Sequence, residues 1–172
     1  VCRWEFSLLD ESRPNQPIRV EQDDRGTYLM NSHDTCMIDH IPELVKSGLA
    51  SLKIEGRMKT IHYLATVVKT YREALDAYGK DPENYQVKPE WHIELDKFSH
   101  RPYDTGFYFA SPQKRDSNVD FTSTYIQTRD FVGIVLDWDE STGRALVEQR
   151  NVIVAGDTLE ILQPKGEVIC FS

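Results

Sequence analysis

Residues 25–78 read RGTYLMNSHDTCMIDHIPELVKSGLASLKIEGRMKTIHYLATVVKTYREALDAY, and their order is strand, cysteine-bearing loop, short helix, second strand, long helix. Gly26–Asn31 supplies a short apolar strand. Asp39 or His40 can cap a helix running to about Ser47, with Pro42 tolerated in its first turn and Gly48 placed to close it. Leu49–Glu55 reads as the second strand. From Thr60 the residues Ile61, Leu64, Val68, Tyr71, Leu75 and Tyr78 recur at three- and four-residue spacing, the signature of an amphipathic helix that Gly79 and Pro82 stop. Strands alternating with helices belong to parallel α/β architecture, which gathers strand ends on one rim. Cys36 lies just beyond one such end, Glu55 and Arg57 at the other. The reading expects chemistry there, with the thiol and the acid–guanidinium set at a common mouth.

Outward from this stretch the pattern changes. Residues 10–24 mix two prolines with many charges and read as a surface excursion. Residues 79–90 look like a linker, and the segment WHIELDKFSH at 91–100 can form one or two helical turns. Beyond it, Tyr125–Gln127, Phe131–Trp138, Arg144–Gln149 and Thr158–Leu162 alternate as strands, with a hairpin loop over 137–143 and a further turn at 155–157. Several short strands in so little chain predict a small barrel or sandwich. GEVICFS reads as a last strand.

The 172 residues carry a net charge of −8 and include three cysteines, at 2, 36 and 170. Such a sparse, odd count does not make a secreted disulfide framework, and the expected setting is reducing and cytoplasmic. No apolar run approaches the roughly 20 residues that span a bilayer. The chain opens on Val-Cys-Arg-Trp, without Met or a signal-peptide pattern, and is expected to be a fragment. Residues 1–80 hold 11 Lys/Arg against 12 Asp/Glu, residues 81–172 hold 9 against 16. The acidic second half argues against bulk electrostatic binding of nucleic acid, whereas Lys46, Lys53, Arg57, Lys59, Lys69, Arg72 and Lys80 make 46–80 the place for an anionic partner.

Two constellations carry candidate chemistry. In Asn31-Ser-His-Asp-Thr-Cys36 a thiolate can ligate a soft metal or cluster, but three or four such ligands are needed and the chain has too few. A buried small hydrophobe is the plainer role for Cys36, while His33 and Asp34 can serve as acid–base residues or cap a helix. A Cys–His peptidase pair, Cys36 with His33 or His40, is weaker still, because no nucleophile elbow or zincin motif accompanies it. Cys170 reads as structural. In Lys53-Ile-Glu-Gly-Arg-Met-Lys59, Gly56 lets backbone approach a ligand, Arg57 and Lys59 can hold a carboxylate or phosphate, and Glu55 can orient a cation or act as base. An ion pair tying the loop to the helix start explains the same residues equally well.

The order RGxYxMNSxDxC, SLKIEGRMK, then YxATVVxxYR, preceded by CRWEF, resembles the C-terminal portion of the collagenase-like peptidases, family U32, over nearly all of residues 1–80. The second half is similar, more loosely, to the small β-barrel that follows in many members. The resemblance implies an α/β part followed by an all-β part: residues 1–80 as the last βα units of an incomplete TIM-like barrel, residues 81–172 as a linker and small antiparallel β-barrel. Members were first described as peptidases with collagenase activity. Better-understood relatives are oxygen-independent hydroxylases acting on tRNA uridine, ribosomal RNA or ubiquinone precursors, with a 4Fe-4S cluster held by four cysteines. The resemblance makes Cys36 and Cys2 the expected metal ligands; with the reading of the residues themselves, Glu55 is the expected catalytic residue and Arg25, Asn31, Lys53, Arg57 and Lys59 the expected substrate-binding set. The paired cysteines upstream in the family are absent, so the cluster is expected in the full-length parent and not in this fragment, which is expected to be inactive alone. The expected substrate is tRNA or another anion, with no membrane partner. Peptidase activity, and an accessory module that contacts protein or RNA, stand as alternatives.

Overall fold

The computed structural model describes residues 7–11, 13–23, 26–28, 33–109 and 125–171. The chain forms two compact units, each assembled from two separated stretches: 1–37 with 100–126, and 38–99 with 127–172. Neither division falls at residue 80, where the composition changes.

In the first unit, β1 (Ser7–Asp10) pairs antiparallel with β2 (Arg13–Arg19), and β3 (Glu21–Asp23) with β4 (Gly26–Tyr28). The stretch read as a surface excursion is therefore mostly paired strand. Its two prolines masked the pattern, yet in a two-stranded ribbon every strand has an outward edge where a missing N–H costs no ladder bond. Of the expected strand Gly26–Asn31, the part to Tyr28 is seen and the rest lies outside the described residues. Then β5 (Asp34–Thr35) runs parallel to β6 (Tyr103–Asp104), and an isolated bridge joins His100 to Ile126.

The second unit is built on three helices. A 3-10 turn at Ile38–His40 leads into α1 (Ile41–Lys46), which has Pro42 in its first turn and ends at Ser47 and Gly48, the latter at φ 74°. His40 occupies the N-cap without a side-chain capping bond. In α2 (Ile61–Lys80) the cap is Thr60, whose hydroxyl accepts from the Tyr63 amide. Gly79 lies inside this helix, which closes at Asp81. The third helix is α3 (Pro89–Leu95), and α2 packs on both α1 and α3.

The core of this unit is Ile38, Ile41, Leu44, Val67, Ala74, Tyr78, Trp91, Leu95 and Phe98. Full burial of each large apolar side chain stabilises by about 1.5–3 kcal/mol. Tyr85 meets the Tyr78 ring edge-on at 5.4 Å and stacks near Trp91 at 6.2 Å, and Tyr63 meets Phe98 edge-on at 4.5 Å. On α2 the helical period is as expected but the buried stripe is Thr66, Val67, Thr70, Ala74 and Tyr78, while Ile61, Leu64 and Val68 are exposed. Small side chains such as Ala74 and Thr70 let neighbouring helices approach closely, so that face was the one selected for packing.

Leu49–Glu55 is not in a strand: among the described residues nothing pairs with it. An extended segment becomes a strand only when a neighbour supplies ladder bonds. In the rest of the unit, β7 (Gly133–Asp139) and β8 (Arg144–Gln149) form a hairpin with a bulge at Leu136, and β9 (Leu159–Ile161) pairs antiparallel with β10 (Ile169–Phe171). Asp139 organises the hairpin turn by accepting from the Ser141 amide and hydroxyl and the Thr142 hydroxyl, bonds that pull its carboxyl down to about 2.

Polar contacts within the unit tie these strands to the helices. Lys97, 9 % exposed, donates to Glu94 at 2.7 Å and pairs with Glu160 of β9 at 2.8 Å, and Arg129 meets the other Glu160 oxygen at 2.9 Å. Burial opposes the Lys97 charge, but its bonds to Glu160 and Glu94 outweigh that and raise its pKa. Lys97 in turn lowers that of Glu160. Lys69 of α2 donates to the Gly166 carbonyl at 2.7 Å, and His62 stacks on Phe131.

Candidate active site

The segment around Cys36 is held from residues far along the chain. The Cys36 amide donates to the Asp104 carbonyl at 2.8 Å and the Asp34 amide to the Pro102 carbonyl at 3.0 Å, extending the β5–β6 pairing. Asp34 takes two bonds from Arg101, one from the amide at 3.1 Å and one from Nε at 3.2 Å. The Asp104 carboxylate accepts from the Gly106 amide at 2.8 Å, and its other oxygen lies 3.4 Å from His33 Nδ1, both side chains being 10 % exposed. His100, 1 % exposed, stacks face to face on Tyr103 at 4.0 Å. Gly106, at φ 57°, is where the chain must turn left-handed, and a Cβ there would lie 3.3 Å from Thr35 Oγ1.

The result is a rigid two-stranded shelf carrying a half-buried thiol, with an imidazole–carboxylate pair on the same shelf. Neither Asp104 nor Arg101 was singled out by sequence. The segment FSHRPYDTGFYF at 98–109 offered a signal, since it is dense in aromatic and charged residues around a Thr-Gly turn.

The second constellation sits in the helical unit and is exposed. Glu55 Oε1 accepts from the Arg57 amide at 3.0 Å, and Lys53 Nζ lies 3.9 Å from Glu55 Oε2 with both side chains mostly in solvent. The Tyr63 hydroxyl donates to the Glu55 carbonyl, and the backbone at Gly56 is approached by the Tyr63 ring, 3.3 Å from where a Cβ would stand. Lys59 donates to the Ser99 carbonyl at 2.6 Å and lies 5.3 Å from the Tyr63 ring centroid. The loop is tied to α2 by the Tyr63 hydroxyl on the Glu55 carbonyl, while the Glu55 carboxylate lies near Lys53 of the same loop and Arg57 is left on the surface. Lys69 and Arg72 likewise have structural partners, Gly166 and Asp76, which thins the basic face expected over 46–80.

Cys36 falls in one unit and Lys53, Glu55, Arg57 and Lys59 in the other. Cys2, Arg25 and Asn31 lie outside the described residues. Among the described residues no group of three or more His, Cys, Asp or Glu is placed to hold a metal ion, so they do not by themselves complete a four-thiolate cluster. His40 Nδ1 lies 3.5 Å from Glu43. Among the described residues no helix is long and apolar enough to cross a membrane.

A cysteine-bearing loop held on a short parallel pair, followed by a helical layer and β-hairpins, is the arrangement to set beside known proteins. The profile of Peptidase family U32 matches residues 1–118, and that of the Peptidase family U32 C-terminal domain matches residues 127–172. The chain belongs to peptidase family U32. It is 39% identical over 166 residues to tRNA hydroxylation protein P1 of Bacillus subtilis, a match covering 96% of this chain and 39% of that protein. To tRNA hydroxylation protein P of Escherichia coli it is 32% identical over 170 residues, 95% of this chain and 35% of that one. A protein named Collagenase from Porphyromonas gingivalis is 27% identical over 110 residues, 64% of this chain and 25% of that one. The chain thus spans little more than a third of the length of the tRNA hydroxylation proteins it matches. No solved structure matches it.

Proposed function

We propose that this chain belongs to an enzyme that hydroxylates uridine in tRNA by oxygen-independent, iron–sulfur chemistry. The observation that carries the reading is the likeness over nearly its whole length to proteins named for tRNA hydroxylation. The shelf that immobilises the Cys36 backbone supports it, because a cluster ligand must be held at fixed position. In this reading Cys36 and Cys2 are two thiolates of a 4Fe-4S cluster whose other ligands lie elsewhere in a longer protein. Glu55 is the catalytic residue of this reading, and Arg57, Lys53, Lys59, Arg25 and Asn31 contact the RNA. Residues 1–80 contribute closing βα units to a TIM-like barrel, and the two C-terminal hairpins belong to a small β-barrel. The setting is cytoplasmic.

The test is a comparison of nucleosides in tRNA from cells with and without the protein. Loss of a hydroxylated uridine, restored by the wild-type gene and not by Cys36→Ser, is the expected result; an unchanged nucleoside profile rejects the proposal. Anaerobic reconstitution should give iron that Cys36→Ser diminishes.

Proteolysis is the second reading, favoured by the likeness to the Porphyromonas gingivalis Collagenase. It requires that the pure protein cleave gelatin or a defined peptide, while tRNA from the deletion strain remains unchanged.

A further inference from the structure

We draw no further inference here: the strongest candidate, the apolar stripe of Ile61, Leu64 and Val68 left exposed on α2, carries nothing because nothing in the structure shows what covers it.

Discussion

The amide of Cys36 donates to the carbonyl of Asp104, so the residue carrying the candidate thiol is held by a segment distant from it in sequence. The Asp104 carboxylate then fixes Gly106, and Arg101 fixes Asp34, so that each end of the shelf is pinned by a charged side chain. Gly106→Ala tests the shelf directly. An L-residue at φ 57° is strained and its methyl would press on Thr35, so a loss of about 1–2 kcal/mol is expected, read as a lower midpoint in urea. In a Cys170→Ser background the same change should speed alkylation of Cys36, followed by peptide mass mapping. A variant with unaltered stability and unaltered alkylation shows that the shelf does not control the thiol.

Lys97 and Glu160 form the charged link between α3's C-terminal end and β9. Lys97→Met removes charged hydrogen bonds to both Glu160 and Glu94 but leaves Glu160 its contact with Arg129, so it should cost roughly 1–3 kcal/mol. Glu160→Gln, which also loses the Arg129 contact, should cost a similar amount. The double variant should lose much less than the sum, and additivity in urea denaturation would exclude a coupled network.

How far these features could be read in the sequence depended on the range of the interaction. The bounds of α2 were legible because Thr60 caps it and its apolar period spans twenty residues; the end of α1 was legible because Gly48 follows it. The buried face of α2 was not, since apolar residues lie on both stripes and only packing against α1 and α3 chooses Ala74 over Ile61. The β7–β8 hairpin announced itself through local turn residues. The β5–β6 pair could not, because two residues on each side make no periodic pattern and their partnership exists only in three dimensions. The loop around Cys36 is dense in potential ligands and legible as such, but the groups that hold it, Arg101 and Asp104, lie in 101–109, a stretch with no periodic pattern that would assign it an element.

His62 makes stability depend on pH. Burial chiefly, and then nearby Lys97, lower its pKa below the usual 6.5, against the opposing pull of Glu94 and Glu160. The folded imidazole is thus neutral where the unfolded one takes a proton. As pH falls below about 6.5 the unfolded state binds more protons and stability declines, levelling once the folded value is passed. Urea midpoints should drop between pH 7.5 and 5.5, a window above the ordinary 4.5 of a glutamate, below which Glu160 is held in the fold. His62→Phe, which keeps a ring against Phe131, should flatten that slope. An equal slope in wild type and variant removes His62 as its source.

Gly133 opposes Gln149 at the start of the β7–β8 ladder, and a Cβ on it would fall 2.8 Å from the Glu148 carbonyl oxygen and 3.0 Å from Val147. Real Cβ atoms do not approach backbone that closely, and the obstacle is the partner strand itself, which cannot rotate away as a side chain would. The Gly133→Ala substitution therefore has to push the two strands apart at the open end of the hairpin, breaking pairing near Gln149. A loss of about 1–3 kcal/mol follows from the strain of overpacking. The local signature is faster amide hydrogen exchange over residues 145–149, with the α1–α2–α3 helices unchanged. Exchange that stays at the wild-type rate through those residues would mean that the strands already stand farther apart in solution than this ladder requires.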